Sequence, residues 1–186
     1  MSLVPVAVAV VMVWLRMTTI DTIIVVGDSM KPTLNDRDRV LSLRRAYRHR
    51  PPQRGDIVVL DIPLHGTEIK RVIGIPGDVV ACAFGQLIIN GSVVRESYVK
   101  EPMVTPTGPW LVPPDNVFVL GDNRNFSEDS RDFGPIATLH IRGKAAFVIF
   151  PFERWGPLDH ADSLRSLPAP PANTPYGLAI DTSTEY

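Results

Sequence analysis

The chain has 186 residues, with 19 basic and 20 acidic side chains and a formal net charge of −1. That length buries one substantial core, and the balanced charge excludes both a polybasic field for nucleic acid and an acidic tail. Cys82 stands alone and His49, His65, His140 and His160 are scattered, so neither an intramolecular disulfide nor a metal site is expected, and no cofactor motif is present.

From Leu3 to Leu15 the sequence LVPVAVAVVMVWL is unbroken apolar chain. As a helix it spans roughly 20 Å, short of a hydrocarbon core about 30 Å thick. Arg16 and Asp21 interrupt any extension, and TTIDTIIVV favours a strand. A secretory signal would need a basic start and a small-residue cleavage site, and a buried strand is the remaining bland reading. Residues 1–16 are therefore expected to be a membrane anchor, with Trp14 and Arg16 near the interface.

Beyond the anchor the pattern is strands and turns. Eighteen prolines, about twice the usual share, work against long helices. Ile23 to Val26 run into Gly27, Asp28, Ser29 and Met30, and Pro32 closes a strand-ending turn. Short apolar runs follow at 39–47, 55–63 and 68–80, the last split by a Pro-Gly turn. QLIINGSVV reads as a hairpin through a type I′ turn at Asn90-Gly91. Residues 101–115 hold five prolines and read as a linker closing a small insert, about 79–116; strands are expected again at 116–123 and 142–152. The spacing argues a mainly β fold, an antiparallel barrel or sandwich over 17–158. The Pro-rich stretch 159–186 has no periodicity and is expected to be disordered.

A serine becomes a nucleophile only beside a base. Ser29 in a Gly-Asp-Ser turn reads by itself as a turn-capping residue. No histidine has the company a triad requires, and His65 in PLHGTE reads as a solvated turn residue. Lys70 interrupts an apolar strand: in EIKRVIGI, alternation puts it on one face with Val72 and Gly74, and Ile69, Arg71 and Ile73 on the other. One of the two adjacent cations must point inward or lie over apolar surface, and a lysine snorkelling at a rim is the plainer reading. GDNRNFSEDSR is acid-rich, but counting a calcium loop from Asp122 puts Arg124 and Phe126 at ligand places and Ser127 at the required glycine, which excludes it. Salt links of Asp129 with Arg131 or Arg124 are the better reading.

GDSMKPTL, RGDIVVL, IKRVIGIPGD and GDNRNFSEDSR stand in the order and spacing of the sequence boxes of bacterial type I signal peptidases, and from about residue 10 to 156 the chain resembles that family. The short form with a small insert resembles its Gram-positive branch. The resemblance implies a membrane-bound serine endopeptidase that removes signal peptides from exported preproteins. Its catalytic domain would lie outside the cytoplasm, on a single membrane-crossing helix, with membrane lipid and the secretion translocon as surroundings. It implies Ser29 as nucleophile, Lys70 as general base, Ser127 as the hydroxyl orienting the lysine, and Asp129 with Arg131 as the pair supporting that loop. Met30 would pack behind the nucleophile. Gly27 stands where some members carry a serine that completes the oxyanion hole, which leaves the hole to the Ser29 backbone N–H and another backbone group. Asn125 and Phe126 stand where Asp and Asn are common. The competing readings are another Ser-Lys processing protease, of the kind that trims conjugation pilins, and a non-catalytic β-module tethered to a membrane.

Overall fold

The computed structural model describes residues 19–170 except 64, 159 and 160. The expected anchor, residues 1–16, lies outside these, as does 171–186. Among the described residues no helix is long and apolar enough to cross a membrane.

The strands are β1 (Ile20–Ile24), β2 (Arg39–Leu43), β3 (Ile57–Ile62), β4 (Gly66–Gly74), β5 (Val79–Ala83), β6 (Gln86–Ile89), β7 (Ser92–Val94), β8 (Thr107–Leu111), β9 (Asn116–Leu120), β10 (Ile136–Ala137), β11 (Ile141–Phe150) and β12 (Gly156–Pro157). Two short helices, α1 (Ser130–Phe133) and α2 (Asp162–Arg165), complete the described elements with two 3₁₀ turns. The fold is mainly β and antiparallel, as expected. An 8-stranded sheet runs β1-β2-β11-β3-β4-β9-β10 with β12 on β11, and a 4-stranded sheet runs β7-β6-β5-β8. The hydrogen-bonded path of the large sheet is open, with β1 and β10 at its ends.

Both faces of the large sheet are covered, which explains why β3 reads IVVLDI and does not alternate. Ile57, Val59 and Ile69 pack on one face with Val25, Met30 and Leu34. Val58, Leu60 and Val72 pack on the other with Val117, Val119 and Ile136. The small sheet has its own core of Val80, Cys82, Leu87 and Ile89, continuous with Ile73, Phe118 and Leu120 of the large sheet. Its hairpin turns where expected, with Asn90 and Gly91 both at positive φ (52° and 78°). Phe84 and Gly85 make a second such turn.

Two expectations need correction. The Pro-rich stretch 101–115 is not only a linker: Thr107–Leu111 forms β8 on β5. Pro109 is tolerated there because β8 is the edge of its sheet, where a missing N–H breaks no ladder on the open side. Part of the expected disordered tail is also packed. Leu164 is fully buried in the small-sheet core, Arg165 bonds Asp56 at 2.8 Å, and Arg54 donates to the carbonyls of Leu167 and Pro168. Helical amphipathicity confined to one turn is too short a signal to read from sequence.

Candidate active site

Ser29 lies just beyond β1, half-buried in a turn that its own side chain does not hold together. The turn is shaped by Gly27, whose φ of 89° suits glycine and whose N–H donates to Asp36 Oδ1 at 2.9 Å. Met30, 1% exposed, pins the other side of Ser29 into the core. Among the described residues the Ser29 N–H donates to no acceptor, so it is free to meet an oxyanion, whereas the Gly27 N–H is already engaged.

A second segment, Gly121–Asn123, clasps this turn. The Asn123 N–H donates to the Ser29 carbonyl at 3.0 Å, and its side-chain amide donates to the Asp28 carbonyl at 3.1 Å. Behind them, Arg71 and Asp122 form a fully buried bidentate pair, Nε to Oδ1 at 2.8 Å and NH2 to Oδ2 at 2.7 Å. Thr33 donates its hydroxyl to the same carboxylate, which ties the turn of Ser29 to β4 and to the end of β9. The Arg71 guanidinium also lies 4.1 Å from the centre of the Tyr98 ring.

Gly121 sets the distance between the two serines. A Cβ built there would fall 2.2 Å from Ser127 Oγ and 2.5 Å from the Ser29 carbonyl oxygen. The Ser127 side chain and the Ser29 backbone therefore approach the same glycine from two sides. Asp129, fully buried, holds this arrangement. Its Oδ2 accepts from the Gly121 N–H at 3.0 Å, it caps α1 in a reciprocal box with Asp132, and it binds Arg131 through Nε at 2.8 Å and NH2 at 2.9 Å. Arg131 NH2 reaches on to the Ser127 carbonyl at 3.2 Å.

Arg124 does not share that carboxylate. It pairs with Glu96 of the small sheet's extension through two bonds of 2.6 Å. Burial disfavours its charge, but Glu96 more than offsets this and holds the guanidinium above its ordinary value. Asn125 is equally structural: it accepts from the Val104 N–H at 3.0 Å and donates to the Pro102 carbonyl at 3.1 Å. Asn125 thus ties the loop that carries Ser127 to the 102–104 segment, while Phe126 points out, 72% exposed.

Lys70 and Arg71 were expected to place one cation inward, and both are buried, at 2% and 0% exposure. Arg71 is matched by Asp122. Lys70 Nζ donates to Glu68 Oε2 at 3.1 Å. Met30 and Ile69, the neighbours of Ser29 and Lys70, share one core cluster. Among the described residues no hydrogen bond joins Lys70 to Ser29 or to Ser127, and the Ser127 Oγ is buried without a partner. His65 stands apart, in ring contact with Phe133 and 3.6 Å from Glu128. Sequence reasoning missed Asp122, Asn123, Gly121 and Glu68. Glu68 alone left a local signal, since it lies two residues before Lys70 and alternation puts both on one face.

The family described as signal peptidase, peptidase S26, matches residues 1–150. A signal peptidase I of Leptolyngbya laminosa is 39% identical over 145 residues, covering 71% of this chain and 70% of that protein. One from Bacillus amyloliquefaciens is 41% identical over 140 residues, covering 69% and 75%. A crystal structure of a signal peptidase I from Enterococcus faecalis V583 is 32% identical and covers 51% of this chain and 97% of that one, with a TM-score of 0.43.

Proposed function

The chain belongs to the signal peptidase family, peptidase S26, and from that premise we propose that Ser29 is its nucleophile and Lys70 its general base. As a member of that family it is a serine endopeptidase that removes signal peptides from preproteins. The observation that carries the residue assignment is the convergence at Gly121, where the turn of Ser29 and the side chain of Ser127 meet beside the end of the strand that pairs with β4.

In this reading Ser29 Oγ attacks the scissile carbonyl carbon while Lys70 Nζ takes its proton. The oxyanion is met by the free Ser29 N–H, with Gly27 unable to contribute its own. As the tetrahedral intermediate collapses, the C–N bond breaks and the departing amine takes the proton from Lys70, leaving an ester on Ser29. Lys70 then accepts a proton from water, whose oxygen attacks the ester carbon. The C–O bond breaks and Ser29 Oγ recovers the proton. Ser127 orients Nζ, and Asp129 with Arg131 fixes Ser127 through its carbonyl. Lys70 lies buried, opposite Val58 of β3.

Residues 1–16 act as the anchor that keeps this site at the outer face of the cell membrane. Turnover of a preprotein in lipid by Ser29→Ala and Lys70→Ala tests the dyad. Each variant should keep a β circular dichroism spectrum and lose cleavage, and near wild-type activity in either would overturn the assignment.

A further inference from the structure

The buried amine of Lys70 meets a single carboxylate. Glu68 Oε2 lies 3.1 Å from Nζ, and the two side chains sit two residues apart on one face of β4. Across the ladder β3 presents Leu60 opposite Glu68 and Val58 opposite Lys70, so nothing polar on that strand competes for either group. Lys70 is 2% exposed and the Glu68 side chain 35%, which makes the carboxylate the end of the pair that faces solvent.

The other charges of the neighbourhood are engaged elsewhere. Asp61, further along β3, takes the Thr67 hydroxyl and lies 3.9 Å from Arg142. Lys144 of β11 binds Asp56. Arg71 of β4 binds Asp122, which follows β9. In the loop before and through α1, Glu128 lies against His65, and Asp129 binds Arg131. Meanwhile Ser127 Oγ, the hydroxyl assigned to orient Nζ, is buried with no partner. A buried hydroxyl without a bond is an unfavourable arrangement, and it stands unmet while Nζ donates to Glu68.

Resting on the assignment of Lys70 as base, we propose that Glu68 is a positioning residue that holds Lys70 as an ammonium, turned from Ser29 and Ser127, until a substrate binds. An ammonium donating to a carboxylate has no lone pair for the Ser29 proton. Glu68 is the member able to move, since its carboxylate is the exposed end of the pair. Once the carboxylate swings away, Nζ loses its extra proton to solvent water, donates one of its remaining N–H groups to Ser127 Oγ and turns its lone pair to Ser29.

The test is the pH profile of kcat/KM on a soluble peptide, for the full chain and its Glu68→Gln variant, which keeps shape and removes charge. The acid limb should move to lower pH, so that on that limb the variant is about tenfold more active than the parent. Glu68→Ala should move it in the same direction. A limb that stays in place or moves upward in both overturns the proposal. Lys70→Ala separates the two layers: if it is inactive at every pH while Glu68→Gln matches the parent, only the role of Glu68 fails, whereas activity in Lys70→Ala removes the base itself. His65→Ala is the control for the imidazole that lies 3.6 Å from Glu128. It should leave the limb unmoved, and a shift equal to that of Glu68→Gln would assign the limb to His65 and overturn the proposal.

Discussion

Replacing Gly121 by alanine tests the geometry of the site without touching any group that transfers a proton. The new Cβ would lie 2.5 Å from the Ser29 carbonyl oxygen and 2.2 Å from Ser127 Oγ, where ordinary contact begins near 3.4 Å. The shortfall is about 1 Å on each side. Ser127 cannot absorb it by a rotamer change alone, because its Cβ is also only 2.5 Å away, and the Ser29 oxygen is backbone held by the Asn123 N–H at 3.0 Å. Both serines must therefore shift, by roughly the displacement that costs about 100-fold in rate when reacting groups leave their productive geometry. Overpacking of this kind costs about 1–3 kcal/mol of stability, within what a domain of this size tolerates. The measurements are kcat/KM on a soluble peptide and a thermal melt on the same preparation. A variant that melts a few degrees lower yet cleaves within threefold of the parent would refute the claim that Gly121 spaces Ser29 and Ser127.

Ser127→Ala should slow cleavage by roughly 10- to 1,000-fold without abolishing it, because an orienting hydroxyl is lost and the base remains; unchanged kcat/KM would remove Ser127 from the site. Asp129→Asn should act mainly on stability, by about 3 kcal/mol in chemical denaturation, since it leaves Arg131 without its carboxylate and weakens the cap of α1; a loss below 1 kcal/mol would mean the pair is dispensable. Asp56 should contribute to acid sensitivity. Burial pushes its carboxyl up, but the hydrogen bond and charge of Lys144, together with Gln53 and Arg165, outweigh this and hold it below the ordinary 3.8. Its contribution is then fully present above that value and lost as pH falls below it, so Asp56→Asn should flatten the acid arm of a stability profile.

The parts of the protein legible in its sequence are those decided within a few residues. Asn90-Gly91 must turn because both positions need positive φ, and they have it. Alternation along EIKRVIGI sorts Val72 from Ile69 and Ile73, and Val72 falls into a different core cluster from either of them. Ser29 and Lys70 were proposed through motif spacing, which a chain carries with it unfolded. Burial of Arg71 beside Lys70 was not legible, because it depends on Asp122, 51 residues beyond Arg71, arriving on the same side of the sheet. The same holds for Arg124, whose carboxylate comes from Glu96 and not from its own loop, and for Gly121, an unremarkable glycine until two serines from separate segments close on it. The strand at Thr107–Leu111 and the packed turn at Asp162–Arg165 were hidden by prolines, which forbid structure locally only where a backbone N–H is needed. Local stereochemistry wrote the turns and faces into the chain. Which charge meets which was decided by strand register and the burial it enforces, since a buried charge takes the partner that the assembled sheets bring within reach.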